Sequence, residues 1–142
     1  MKRWGTRLHT AIYRLTRGRV LGRIGGQPVL LLETLGRRTG RRRATPVQYL
    51  ADGVAFVVVA SNGGAVHPPA WYLNLRANPN AGVQRGTRTI AVRAHETAGR
   101  ERADLWRRLA AANRYLEPAA RKAERELPIM ALVPTTPPTP RP

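Results

Sequence analysis

The 142-residue chain has no cysteine. That excludes a disulfide scaffold, thiolate metal sites and a cysteine nucleophile. Histidine is limited to His9, His67 and His95; no two stand four apart, so a helical zinc-binding pair is not expected. Long apolar runs are missing as well. The longest, residues 28–32 and 54–60, fall far short of the roughly 18–20 residues that span a bilayer. The basic N-terminus lacks the apolar block and small-residue cleavage site of a secretory signal, and a soluble cytoplasmic protein is the expectation. Aromatic residues make up only 6% of the chain, with a single Phe. That leaves no aromatic row on a strand for stacking nucleic-acid bases.

What the chain has in excess is arginine. Lys+Arg number 25 against 8 Asp+Glu, a formal charge of +17. Only Lys2 and Lys122 are lysines; the other 23 basic residues are arginine. Residues 1–49 hold 12 of the basic groups and one acid, Glu33. Such an imbalance implies an anionic partner: nucleic acid, a membrane surface or a phosphorylated small molecule. Part of it follows composition, since abundant Ala, Gly and Pro beside arginine is the mark of GC-rich coding. The length suits one domain with a real core, and 42% hydrophobic residues fit a globular chain.

Residues 3–17 have the period of an amphipathic helix, with Trp4, Leu8, Ala11, Ile12 and Leu15 on one stripe and arginines on the rest. A Gly-rich linker runs to residue 26. Strands are expected over 28–35, 44–50 and 54–60, the last two joined by the hairpin signal Asp52-Gly53. Pro68-Pro69 pre-sets a short helix over 70–77 that Asn78-Pro79 stops. Two more strands follow over 81–85 and 89–97, then an amphipathic helix over 100–116 with Leu105, Trp106, Leu109, Ala112 and Leu116 inward. Pro118 opens a further short helix, and residues 128–133 make a last strand. From Pro134 the Pro/Thr composition reads as a disordered tail. The fold class is thus α+β, mainly β: residues 27–133 form a half-closed barrel of about six mostly antiparallel strands with peripheral helices.

Three features carry candidate chemistry. Arg37, Arg38, Arg41, Arg42 and Arg43 crowd a turn around Thr39-Gly40. Guanidinium groups grip phosphate or carboxylate oxygens in pairs, so the turn reads as an anion site; the plainer reading is a solvated turn. Next, the strand ending at Ala60 runs into Ser61-Asn-Gly-Gly64, whose successive backbone N–H groups can form an anion-binding nest. It is not a phosphate-binding loop of the Gly-Lys-Ser/Thr type, and no GxGxxG opens a helix. Last, Trp71, Asn74 and Leu75 share a face of the 70–77 helix. An indole beside an amide suits a flat heterocycle, although aromatic residues on a short helix more often fill a core. Together, within about forty residues, the three supply what a phosphorylated planar cofactor needs at a barrel rim.

The blocks Gly36-Arg-Arg-Thr-Gly-x-x-Arg43-x-x-Pro46, Ala60-Ser-Asn-Gly-Gly64 and Pro69-Ala-Trp-Tyr-Leu-Asn-Leu-Arg-Ala-Asn-Pro79, in this order, resemble the deazaflavin-dependent nitroreductase and quinone reductase family of actinobacteria. The resemblance implies a split β-barrel related to the FMN-binding barrels and the deazaflavin coenzyme F420. It implies that Arg37, Arg38, Thr39 and Arg43 meet the phosphate and acidic tail, and that Pro46, Gln48, Val59 and Ala60 line the ring pocket. Ser61, Asn62 and Gly63 would supply hydrogen bonds, and Ala70, Trp71 and Asn74 would close the site. The chain departs from the pattern at Asn62, Gln48 and Ala70, where relatives carry lysine, tyrosine and methionine. In the late helical segment it keeps one tyrosine, Tyr115, so the resemblance does not extend to the tyrosine-lined pocket of the nitroimidazole-reducing members.

The implied activity is hydride transfer from reduced F420 to a quinone-like acceptor, with the proton coming from Ser61, Tyr115 or water. FMN in the same barrel and a non-enzymatic nucleic-acid or membrane-surface module are the alternatives. The 3–17 helix either rests on the inner face of an anionic membrane or packs on the protein.

Overall fold

The computed structural model describes residues 23–24 and 27–135. The helix expected over 3–17, with its membrane reading, and the tail from residue 136 lie outside the described residues. Among the described residues eight strands form: β1 Arg23–Ile24, β2 Gln27–Leu35, β3 Arg42–Gln48, β4 Leu50–Asp52, β5 Ala55–Val59, β6 Asn80–Arg85, β7 Arg88–Glu96 and β8 Ile129–Pro134. Three helices accompany them: α1 Ala70–Ala77, α2 Gly99–Ala112 and α3 Leu116–Ala123.

The apolar run of β2 is buried on both faces because it divides between two packing layers. Leu30 and Leu32 enter the main core, while Val29 and Leu31 form a small cluster with Ala44. Strand β5 divides in the same way. Phe56 and Val58 join the main core, whereas Val57 packs under α2 and α3 with Leu105, Leu109, Leu116 and Ile129. The sheet therefore has an inner layer inside the barrel and an outer layer, which over β5 is covered by the two late helices.

All pairings among the described strands are antiparallel, in the order β1-β2-β6-β7-β8-β5-β4, with β3 on the other side of β2. Closure comes from one bent segment. Residues 42–48 pair with β2, and after Tyr49 residues 50–52 pair with β5. Tyr49 marks the bend: its N–H donates to the Pro28 carbonyl (3.1 Å) and its ring meets Phe56 edge-on at 5.5 Å. Counting β3 and β4 as one bent strand and setting β1 aside, the barrel has the six strands read from the sequence.

Several boundaries differ. The arginine turn is shorter than expected, since Arg42 and Arg43 already pair with Leu35 and Thr34 in the ladder. Val54 belongs to the Asp52-Gly53 turn and is 69% exposed. The helix expected over 100–116 stops at Ala112, because the Asn113 side chain accepts the Tyr115 N–H (3.0 Å) and turns the chain. Leu116 then opens α3, with Pro118 in its first turn. Ala112 is exposed and Trp106 half-buried, so the inward face of α2 is narrower than its sequence pattern. At the far end β8 runs through Pro134, opposite Val92.

Candidate functional site

A cleft of about 610 Å³ opens where the bent strand leaves β2 for β5. Its walls come from four places: residues 45–50 of the bend, Val59 with Ser61, Asn62 and Gly63, then Pro69 and Trp71, and finally Leu109, Ala112, Asn113 and Leu116 at the α2–α3 joint. A second hollow adjoins it, sharing Gln48, Ser61, Gly63, Asn113 and Leu116 and adding Tyr115, Pro118, Ala119 and Lys122. Gln48 accepts a hydrogen bond from Asn113 Nδ2 at 3.3 Å, which bridges β3 to the joint. Among the described residues no cluster of His, Asp or Glu could hold a metal ion.

The expected site residues fall into two groups. Pro46, Gln48, Val59, Ser61, Asn62, Gly63 and Trp71 all line the cleft, although they come from three separate segments. Arg37, Arg38, Thr39, Arg43, Ala60, Ala70 and Asn74 do not line it. Ala60 is fully buried in the barrel core, one residue behind the lining. Ala70 is exposed at the start of α1. Trp71, only 7% exposed, belongs to the core cluster and also lines the cleft.

Asn74 does not close the site. It is 5% exposed, its Oδ1 accepts the Arg37 N–H (3.1 Å), and its Nδ2 donates to Thr34 Oγ1 (3.1 Å). An N–H can only donate, so the Arg37 contact fixes which way the amide faces. Both ends are then engaged, and Asn74 is a strut from α1 to the arginine turn. Trp71 and Asn74 are one turn apart on α1, which places the turn beside the cleft without lining it.

The turn itself is tight. Gly36 N–H donates to the Arg41 carbonyl and Gly40 N–H to the Gly36 carbonyl, both at 2.8 Å, while Thr39 Oγ1 accepts the Arg41 N–H. A Cβ on Gly36 would stand 2.8 Å from Thr39 Oγ1, so a larger residue there would have to displace the Thr39 hydroxyl that accepts the Arg41 N–H. Arg37, Arg38, Arg41, Arg42 and Arg43 are all exposed. None joins an ion pair among the described residues, where the carboxylates of Asp52, Glu101, Asp104 and Glu126 pair elsewhere. The turn is therefore strongly positive, with five guanidinium groups that have no carboxylate partner among the described residues.

The Ser61–Gly64 loop is narrower as a nest than its sequence suggested. Gly64 N–H donates to the Ser61 carbonyl and Ala65 N–H to the Asn62 carbonyl, so those two amides close a 3-10 turn. The Ser61, Asn62 and Gly63 amides take no part in that turn. Gly64 has φ +81, and an added Cβ would lie 3.2 Å from the Ala119 carbonyl oxygen. The loop is thus seated directly on α3.

Sequence reasoning missed Arg125, which the structure places behind this loop. Its Nε donates to the Ala65 carbonyl at 3.1 Å, and one Nη donates to those of Ala60, Ser61 and His67 at 3.3–3.4 Å. Nothing set it apart from the other arginines, because its partners are backbone carbonyls about sixty residues away. Asn113 and Leu109 were also missed as cleft residues. Asn113 carried a usable signal, a helix-stopping residue inside an otherwise helical pattern.

A flat cofactor fits these features. The volume is that of an ordinary ligand pocket, and its lining mixes apolar side chains (Val47, Val59, Leu109, Leu116) with amide and hydroxyl groups from the bend, the 61–63 loop and Asn113. The fold and cleft define a split β-barrel of the FMN-binding type. The family model described as F420H(2)-dependent quinone reductase matches residues 4–134, and the chain belongs to that family. It is 40% identical over 131 residues to an F420H(2)-dependent quinone reductase of Mycobacterium tuberculosis, covering 89% of this chain and 87% of that one. A solved structure of an F420-H2 dependent reductase superposes with a TM-score of 0.68 at 30% identity, over 74% of this chain and 93% of the other. Another, a domain-swapped dimer, gives 0.70 at 28% identity over 87% and 94%.

Proposed function

We propose that this chain is an F420H2-dependent oxidoreductase that reduces a quinone-like acceptor. The observation that carries the reading is the cleft at the barrel's bend, with Trp71, the 61–63 loop and the tethered arginine turn on one side of it. Family membership supports it. Residues Pro46, Gln48, Val59 and Trp71 would border the ring, Ser61, Asn62 and Gly63 would hydrogen-bond it, and Arg37, Arg38 and Arg43 would meet the anionic tail, with Thr39 holding their turn.

Reduced F420, when bound, supplies a hydride. The chain's own part is to bind, orient and dry the site. Leu109, Leu116 and Val59 exclude water, which strengthens every polar contact the loop makes. A quinone that accepts a hydride also needs one proton to become a hydroquinone. Ser61 and Tyr115 both border the adjoining hollow. The Tyr115 oxygen accepts a hydrogen bond from Arg114 at 3.0 Å, so its own hydrogen stays available to an acceptor there. Tyr115 and Ser61 are the two candidate donors, and menadione reduction by Tyr115→Phe and Ser61→Ala variants separates them.

Titration of the full-length protein with F420 tests the reading. Saturable binding is expected, weakened about tenfold or more in an Arg38→Ala, Trp71→Ala double variant, with FMN competing poorly. The wild-type protein should also oxidise F420H2 when menadione is supplied. No saturable binding, or binding that the double variant leaves intact, overturns it. No helix among the described residues is long and apolar enough to cross a membrane. A cytoplasmic site with residues 3–17 on the inner membrane face is the accompanying proposal. It fails if vesicle co-sedimentation is equal with and without residues 1–20.

A further inference from the structure

We infer that Arg125 is a positioning residue for the cofactor-facing loop, acting through the backbone to turn the Ser61 and Asn62 N–H groups toward the cleft. The inference deepens the proposed function and rests on it for the identity of the ligand.

A trans peptide unit is planar, with its C=O and N–H pointing in opposite directions. The Ala60 and Ser61 carbonyls both accept from one Nη of Arg125, at 3.3 Å each. The N–H groups in the same two peptide units belong to Ser61 and Asn62, and they therefore point away from the guanidinium. Ser61 and Asn62 line the cleft, whereas Arg125 does not. Fixing two carbonyls on one side thus aims two donors at the other. The Asn62 carbonyl is held by the Ala65 N–H (3.1 Å), which extends the alignment to the Gly63 amide.

The rest of the loop is pinned to the same group. The Ala65 carbonyl takes Nε at 3.1 Å, and the His67 carbonyl is shared between Arg125 (3.4 Å) and Asn62 Nδ2 (2.9 Å). Arg125 reaches this position because the chain reverses just before it. Glu124 has φ 52, the left-handed C-cap of α3, and four residues later Pro128 lends its carbonyl to Ala60 N–H at 2.8 Å. Four carbonyls around one planar fork call for arginine. A lysine ammonium keeps the charge but is a point donor without the fork geometry.

The experiment uses full-length Arg125→Gln and Arg125→Lys proteins, with Arg102→Gln as control. Arg102 is also a half-buried clamp, from Nη1 to the Leu127 carbonyl (2.8 Å) and Nε to Glu126, but it lies away from the cleft. Two quantities are read: amide exchange without ligand at Gly64 and Ala65, whose N–H groups bond the Ser61 and Asn62 carbonyls, and KM for F420H2 against kcat with menadione. In Arg125→Gln those two amides should exchange at least about tenfold faster, core-strand amides should be unchanged, and KM should rise roughly tenfold with kcat within about twofold. Arg125→Lys should fall between, and Arg102→Gln should lower Tm while leaving both quantities alone. Unchanged loop exchange in Arg125→Gln, or an equal KM rise in Arg102→Gln, overturns the inference. Should the wild type bind no F420, the proposed function falls, and the exchange measurement still decides on Arg125.

Discussion

Two loops border the cleft and are held by opposite means. In the arginine turn the side chains face solvent and the backbone is anchored inward by Asn74. In the 61–67 loop the backbone carries the contacts, and a guanidinium grips its carbonyls from behind. Arginine is therefore the presented group in one loop and the fastener in the other. Charge counts cannot tell these roles apart. What separates them is the partner: a half-buried guanidinium among carbonyls is spent on structure, while an exposed one without a carboxylate is open to an anion. Each loop also depends on a single side chain from elsewhere, Asn74 for one and Arg125 for the other.

The comparison can be broken most severely at Gly64. Gly64→Ala combines φ +81, which a Cβ disfavours, with contacts at 3.2 Å to the Ala119 carbonyl oxygen and 3.3 Å to its Cα. We expect a loss of about 2–4 kcal/mol in urea unfolding. Cofactor affinity should fall with it, because the loop must lift off α3. The arginine turn should be unaffected, so amide exchange at residues 37–41 should stay at the wild-type rate. A loss below about 1 kcal/mol would show that the loop is not seated as described.

Asn74→Ala tests the other loop. It strands the Thr34 hydroxyl, 3% exposed, and removes the acceptor for Arg37 N–H. The expected cost is about 2 kcal/mol. F420 affinity should weaken and lose part of its salt dependence, since a loosened turn no longer holds its guanidinium groups together. Amide exchange in the 61–67 loop should be unchanged. Were both loops to loosen, the two fasteners would be one network and the contrast would collapse.

The presented arginines were legible and the fasteners were not, for a physical reason. An anion-receptive turn is local: Gly36, Thr39, Gly40 and five arginines lie within eight residues, and the hairpin that aims them follows from the strands on either side. The same holds for the Ser61–Gly64 loop and for Trp71 on its short helix. Arg125 and Asn74 act across 37 to 65 residues of chain, and no periodicity encodes such contacts. Asn74 even shared a helix face with Trp71, so spacing alone placed it in the cleft. The bend at Tyr49 was hidden because residues 44–50 read as one extended run, and only the change of partner from β2 to β5 reveals it.

The smallest effect lies one residue from the tryptophan edge, at Tyr72, which fastens α1 itself. Its hydroxyl donates to Glu96 Oε1 at 2.5 Å, tying the helix that carries Trp71 and Asn74 to the end of β7. Burial first, and the Glu96 carboxylate second, push the Tyr72 phenol above its ordinary value of 10.0. The folded state thus favours the protonated, neutral phenol. That contribution is fully present below about pH 10 and is lost as pH rises from the unfolded value through the higher folded one. Tyr72→Phe should cost about 1 kcal/mol at pH 8. Its deficit relative to wild type should shrink between pH 10 and 11, as the unfolded wild-type phenol ionises and the folded one resists. Thermal unfolding of both proteins from pH 8 to 11 measures this. A deficit that stays constant or widens would mean that the Glu96 hydrogen bond does not hold α1, and that Asn74 anchors the arginine turn to a helix fixed by its apolar face alone.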